Sequence, residues 1–257
     1  MTLAADGGAA LTLLLASVRV VAWLMIAPPL ASRSVPTRVK VLLAVGLSLA
    51  IAPALQDAPV PTTVPALVAE VLTQVAVGAA MGFVTMLLLS AVAAAGALVD
   101  VLGGFSLAQG LDPTGANSNT VIGSLHQVLA TLLLFASGGH TLVVGGVLRT
   151  FTLLPIGAQP NLEALPEVLA RAMSVFFVTA VQVALPMAAV LFVADLGLAL
   201  MTKIAPQLNA LNVMFPAKIG LTLMLVGLSF AALPGVVDRL VDLVLEAMDT
   251  LTRPAAP

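Results

Sequence analysis

Cysteine and tyrosine are absent from this chain, tryptophan occurs once, and only 9% of the residues are charged. Without cysteine there is no disulfide framework, thiol nucleophile or zinc–thiolate site. Ordinary soluble domains carry roughly a quarter charged residues. A chain with so few could face water only through large apolar patches, so it reads as a membrane protein or part of a membrane assembly. The aromatic belts that mark both interfaces of many spanning proteins are nearly missing. Much of the helical surface is therefore expected to meet protein rather than headgroups. The net charge of −2 argues against nucleic acid, because neutralising phosphates needs a basic surface. Asp6 precedes the first apolar run and Arg19 lies within it, so no basic leader is read and the N-terminus is expected to be retained.

Hydrophobic residues make up 60% of the chain and fall into six apolar blocks, about 9–31, 39–55, 67–99, 120–148, 168–200 and 217–237. A helix needs roughly 20 apolar residues to cross the hydrocarbon core, so 39–55 is marginal and 67–99 and 168–200 are overlong. Pro28-Pro29, Pro53, Pro186, Pro206, Pro216 and Pro234 predict bent or broken helices, with Pro186 interrupting the fifth block. The expectation is an all-α integral membrane protein, read as one domain over 1–257. By the positive-inside rule, Arg33, Arg38 and Lys40 against Asp57 would put the first loop in the cytoplasm and the second outside. The stretch 149–171, however, balances Arg149 and Arg171 against Glu163 and Glu167, so the topology stays open. The tail 238–257 mixes Asp238, Arg239, Asp242, Glu246 and Asp249 with Leu and Val. It predicts an amphipathic helix at a surface or partner interface rather than a span. Gly78-x-x-x-Gly82 either lets another helix approach closely or is a chance spacing in an alanine-rich run.

Polar groups at membrane depth are costly, and each has a functional and a structural reading. Asp100 and Asp195 follow long apolar runs, while Lys203 and Lys218 flank the last loop. They form either a proton or ion relay, or helix ends and ion pairs. Gly46-Leu-Ser48, Gly104-Phe-Ser106 and Gly227-Leu-Ser229 carry the G-x-S of intramembrane serine proteases, with His126 or His140 as base. Three equivalent candidates in a chain rich in small residues point instead to helix packing. Two histidines without a nearby carboxylate pair make a poor metal site, and no metal or other cofactor is expected. Met81, Met86, Met187 and Met214 are core fillers or a flexible gasket around a pore.

The stretch Val99–Gly157 is the most informative. A polar loop of Gly110, Leu111, Asp112, Pro113, Thr114, Gly115, Ala116, Asn117, Ser118, Asn119 and Thr120 lies between two apolar blocks and carries one charge. Asp112-Pro113 favours a turn, and Asn117 to Thr120 can cap a helix starting near Val121. Such a loop either lines or blocks a conduit, or connects two helices in solvent.

Several motifs in order resemble the FliR family of flagellar type III export-gate proteins across nearly the whole chain. They are Arg19-Val-x-x-x-x-x-x-Ala-Pro28 and Arg33-Ser-Val-Pro36-Thr-Arg38-Val-Lys40, then Asp100 to Gly104, Asp112-Pro113 and Gly139-His140. Phe151-Thr-Leu-Leu-Pro155-Ile-Gly157 follows, then Ala205-Pro206-Gln207-Leu-Asn209 and Phe215-Pro216-Ala-Lys218. The 100–115 segment and Phe151–Gly157 favour the flagellar over the injectisome branch. The resemblance implies helical hairpins that do not all span, in a gate with FliP and FliQ, next to FlhB and FlhA, in the inner membrane at the flagellar basal body. It implies no enzyme activity, and unfolded flagellar proteins as cargo. The family's plug falls by position on Gly110–Thr120, displaced as cargo arrives. Arg33, Pro36, Arg38, Asp100, His140, Pro155, Gly157, Asp195, Pro206, Gln207, Asn209, Pro216 and Lys218 become interface or structural positions, and Arg38, Lys40, Lys203 and Lys218 interface or headgroup contacts. A secondary transporter with a midplane site at broken helices is the alternative.

Overall fold

The computed structural model describes residues 3–55, 61–105, 120–161, 163–204 and 210–253, excepting the side chains of 3–6 and 210–215. The described residues form eight α-helices and a 3-10 turn, with no strand. The helices are α1 (Leu3–Ile26), α2 (Thr37–Ala50), α3 (Val64–Gly103), α4 (Val121–Ala136), α5 (Gly139–Leu153), α6 (Leu165–Ile204), α7 (Ala210–Ser229) and α8 (Leu233–Thr252), with the 3-10 turn at Ala52–Leu55. Three described segments are long and apolar enough to cross a membrane, Gly7–Ile26, Val64–Gly103 and Leu165–Ile204. Two helix pairs, Val121–Ala136 with Gly139–Leu153 and Pro216–Ser229 with Leu233–Thr252, pass the same test only together. The protein is thus an all-α membrane protein in which some helices are too short to span.

Two departures from the sequence expectation have clear causes. Block 120–148 divides at Ser137-Gly138, where Gly138 adopts φ 77°. A side chain rarely adopts that conformation, so glycine ends one helix and starts the next. Pro186, expected to interrupt the fifth block, lies inside an unbroken α6. The ring removes one backbone donor, which a helix with the remaining ladder intact can tolerate. Pro28-Pro29 does follow the end of α1, and Pro234 sits in the first turn of α8, where no intrahelical N–H bond is lost.

The chain forms two compact units, each built from segments interleaved along the sequence. The first comprises Met1–Leu88, Gly138–Met173 and Leu240–Pro257. Its buried residues include Leu15, Val20 and Leu24 of α1, Met81 and Val84 of α3, Val147 and Phe151 of α5, and Val244 and Met248 of α8. The amphipathic tail finds its apolar cover here: a Cβ on Gly146 would lie 2.6 Å from Leu245 Cδ2 and 3.3 Å from Met248 Sδ. Its outer face pairs Glu246 with Arg171 at 2.8 Å and Asp249 with Arg149 at 3.6 Å. Exposed pairs of this kind contribute about 0–1 kcal/mol, so the apolar face holds the helix in place.

The second unit comprises Leu89–Ser137 and Ser174–Arg239, with a core of Ala95, Val99, Ile122, Ala184, Met187, Leu191, Leu225 and Val226. Met81 and Met187 fill cores, whereas Met86 is exposed.

Glycine sets the closest approaches. Gly78-x-x-x-Gly82 is a packing site: a Cβ on Gly78 would collide with the Arg19 carbonyl and lie 2.9 Å from Ala22 Cβ, and one on Gly82 would meet Ile26 Cβ at 3.0 Å. Within the second unit, a Cβ on Gly96 would come within 2.7 Å of Gly123 Cα, so α3 and α4 meet glycine to glycine. Gly78→Ala is expected to destabilise the detergent-solubilised protein by about 1–3 kcal/mol, because a backbone atom blocks the added methyl. Gly46→Ala, with nothing within 4 Å, is expected to stabilise by up to about 1 kcal/mol through helix propensity. Melting curves of the two variants check the contrast.

Candidate functional site

Arg19 is fully buried in α1, and every part of its guanidinium is engaged. Nε donates to Gln74 Oε1 at 2.6 Å, Nη2 to the Leu154 carbonyl at 3.0 Å, and Nη1 to Thr150 O and Oγ1, each at 3.4 Å. The guanidinium carbon lies 4.1 Å from the centroid of the Phe151 ring, a cation–π contact. Gln74 Nε2 donates to Glu70 Oε1 at 2.6 Å, and the Gly157 amide donates to the same oxygen at 3.0 Å. The positive charge on α1 and the negative charge on α3 are therefore joined through an amide. The carbonyls of Thr150 and Leu154 belong to the last turn and C-cap of α5. Thr150 O already accepts the Leu154 amide at 2.8 Å, whereas the Leu154 carbonyl lies beyond the helix's own donors. A cation there also faces the negative end of the helix dipole.

This cluster explains Phe151-Thr-Leu-Leu-Pro155-Ile-Gly157. Phe151 covers the guanidinium, Leu154 supplies a carbonyl, and Pro155 and Gly157 turn the chain. Gly157 has φ 86°, which presents its N–H to Glu70. Glu70 and Gln74 were not among the sequence candidates. Their signal was two polar residues four apart in an apolar helix, the spacing that stacks side chains on one face.

In the second unit, Asp100 is fully buried near the end of α3. Its Oδ2 accepts from the Ile122 amide at 2.9 Å and the Gly123 amide at 3.2 Å, the free donors of α4's first turn. Helix α4 begins at Val121 as the sequence suggested, but Thr120 makes no side-chain cap bond and Asp100 serves from another helix. His126, also buried, places Nδ1 3.0 Å from the Ile122 carbonyl and Nε2 3.2 Å from Ser229 Oγ. The serine–histidine pairing is thus real for Gly227-Leu-Ser229. Ser229, however, donates to the Val226 carbonyl at 2.7 Å and ends α7, where carbonyls rather than N–H groups are free. That end offers no oxyanion donors, so the pair ties α4 to α7 instead of forming a nucleophile.

Asp195 pairs with Lys218 between α6 and α7, its two oxygens 2.7 and 2.8 Å from Nζ. A bidentate ion pair is the structural alternative to a relay. Lys203 lies in the last turn of α6.

The remaining candidates are dispersed. Arg33 and Arg38 are exposed, Pro36 is the N-cap of α2, His140 is half-buried at the start of α5, and Pro216 lies inside α7. Gly110–Asn119, Pro206, Gln207 and Asn209 fall outside the described residues. Among the described residues no three His, Asp or Glu side chains are grouped to hold a metal ion. An open groove of about 470 Å³ in the second unit is lined by Ala93, Ala94, Ala97, Thr120, Gly123, Ser124, Gln127 and Val128. None of these described lining residues carries a charge or an aromatic ring with which to grip a small solute.

Arg19, Gln74, Asp100 Oδ2 and His126 serve helix ends and helix contacts, while Ser48 Oγ and Asp100 Oδ1 are buried without a hydrogen-bond partner among the described residues. The family model described as bacterial export proteins, family 1, matches residues 10–244. The chain belongs to this family. The flagellar biosynthetic protein FliR of Escherichia coli K12 is 34% identical over 208 residues, 80% of each chain. That of Pectobacterium carotovorum is 30% identical over 237 residues, 92% of this chain and 91% of the relative. The Bacillus subtilis protein of the same name is 29% identical over 178 residues, 68% and 69% of the two chains. The resemblance read from the motifs therefore holds. The match to the export family includes Arg19, Asp100, the Phe151–Gly157 turn and the Asp195–Lys218 pair.

Arg19→Ala leaves Gln74 Oε1 and the Leu154 carbonyl without this donor and Glu70 without its opposing charge. It is expected to destabilise by about 3–5 kcal/mol. Arg19→Lys is expected to recover only part of this, since a point charge cannot fill the planar fork. Thermal melts and steady-state levels in membranes measure both. Asp100→Ala should cost about 1–2 kcal/mol as a lost cap. Asp100→Asn, which keeps an acceptor oxygen, should cost less, and a larger loss for Asn than for Ala would contradict the capping role.

Proposed function

We propose that this chain is the FliR-type subunit of a flagellar protein export gate, helping to form and close the channel through which unfolded flagellar proteins cross the inner membrane. FliP and FliQ are its partners in that gate, with FlhB and FlhA adjoining. Helix α6 carries the reading beyond family membership. Its exposed apolar side chains run from Met173 through Phe177, Leu185, Phe192, Leu196 and Leu200 to Ile204. That is a length of about 46 Å at 1.5 Å per residue. The hydrocarbon core is about 30 Å thick, and even a tilt of about 40° leaves about 36 Å. Lipid cannot cover all of it, so protein must.

The chain works as one domain in this reading. Each compact unit is assembled from separated stretches of sequence, so no single cut would release either. The segment Gly110–Thr120 is the plug by its position in the family. Displacement of the plug by cargo opens the channel, and energy comes from partner subunits and the proton-motive force. The transporter alternative is weaker, because Asp195 is neutralised by Lys218 at 2.7 Å and is not a free carrier.

Affinity purification of the tagged chain from its own bacterium is expected to bring down FliP and FliQ in mild detergent. A folded chain recovered alone, or only with copies of itself, contradicts the subunit reading. Deletion of residues 112–118 tests the plug separately. The expected result is an ion leak across the inner membrane with the complex intact and motility lost. A tight membrane with the complex assembled would remove this segment as the seal.

A further inference from the structure

We propose that α2 and the loop before it form a binding surface for an anionic phospholipid. The proposal does not depend on the gate reading. From Gly7 to Gln56 the chain has no acidic residue, yet Arg33, Arg38 and Lys40 cluster in it. Arg33 and Arg38 are exposed, and neither is ion-paired to a described residue.

Helix α2 has the reverse of a soluble helix's polarity. Lys40, Ala44 and Ser48 form its buried face, on which it packs against α1. Its large apolar residues point outward, with Leu42 71% and Leu49 55% exposed. Arg38, Leu42, Val45 and Leu49 follow the i, i+4, i+7, i+11 spacing of one helical stripe, and all four are exposed.

The dimensions select the occupant. Fourteen residues span about 21 Å, too short to cross a hydrocarbon core of about 30 Å. From Arg38 to Leu49 the stripe is about 16 Å long, close to one leaflet of that core. A cation at one end of an apolar stripe one leaflet long matches a phosphate headgroup and its acyl chain. A partner helix would match the apolar residues but give no reason for unpaired arginines at one end.

The test compares bound phosphatidylglycerol with bound phosphatidylcholine by native mass spectrometry, on the full-length chain taken from its membrane with whatever co-purifies. The wild type is expected to prefer phosphatidylglycerol. The double variant Arg33→Gln/Arg38→Gln should reduce that preference roughly thirtyfold, about fivefold per cation near the surface. Arg33→Lys/Arg38→Lys should retain it, as should Arg149→Gln/Arg171→Gln, which removes the same charge elsewhere. Equal binding of the two lipids, or a preference that survives the Gln pair, overturns the proposal. So does competition by soluble glycerol phosphate, which would indicate a phosphate site without a lipid surface. Because the chain has no cysteine, Leu42→Cys can carry a single photo-crosslinker in native membranes. Lipid adducts support the proposal, and a protein adduct shows that a partner covers α2 instead.

Discussion

Unsatisfied backbone groups at helix ends are the constraint on which the rest of this structure depends. In water such groups find solvent, but at membrane depth they must be met by protein. The block 120–148 breaks into α4 and α5, and its two outer ends are served by charges from other helices. Asp100 on α3 receives the first free amides of α4, and Arg19 on α1 donates to the last carbonyls of α5. Each charge faces the helix pole of opposite sign. For Arg19 the cost of burying an ion is thereby offset by several directed hydrogen bonds, which is the condition under which a buried charge is tolerated. Asp100 meets it through Oδ2, while Oδ1 has no partner among the described residues. These charges need no catalytic or transport role to account for their presence.

Capping in trans works only if backbones come close, and that role falls to the small residues. Gly78 and Gly82 bring α3 against α1 at the turn that carries Arg19, since the Arg19 carbonyl itself occupies the space beside Gly78. Gly96 and Gly123 do the same for α3 and α4, one turn from Asp100. Without a hydrophobic driving force between helices in lipid, close packing and interhelical hydrogen bonds carry the association. The glycine positions and the buried charges therefore act as one device, each making the other geometrically possible.

Most of the fold class was legible in the sequence, because low charge, long apolar blocks and scarce aromatics are compositional facts that tertiary contacts cannot reverse. The start of α4 after Thr120 and the close approach at Gly78 and Gly82 were also foreseeable, the latter only as one of two readings. Other features were not. The break at Gly138 was hidden because glycine inside an apolar run is common in spanning helices and marks an end only when its φ turns positive. Pro186 does not break α6, because a proline rule calibrated on soluble helices overstates the break where packing can absorb one missing donor. The Arg19 cluster was only half visible. Arg19 and the Phe151–Gly157 turn stood in motifs, but their meeting through Gln74 depends on the packing of three helices 55 to 135 positions apart in sequence. No local pattern encodes such a meeting.

The distribution of polarity follows from the same logic. Arg19, Gln74, Asp100 and His126 are fully buried, whereas Leu42, Phe177, Phe192 and Ile204 are largely exposed. A soluble protein arranged in this way would aggregate through its surface. A protein wholly surrounded by lipid could expose its leucines, but not over the roughly 46 Å presented by α6, a length beyond what a bilayer of about 30 Å accommodates. The arrangement is stable only where lipid covers part of the surface and other protein covers the rest. An export-family subunit packed among partners in a membrane meets that condition. The absence of tyrosine and the single buried tryptophan fit it as well, since a surface lined by neighbouring subunits has little use for interfacial anchors.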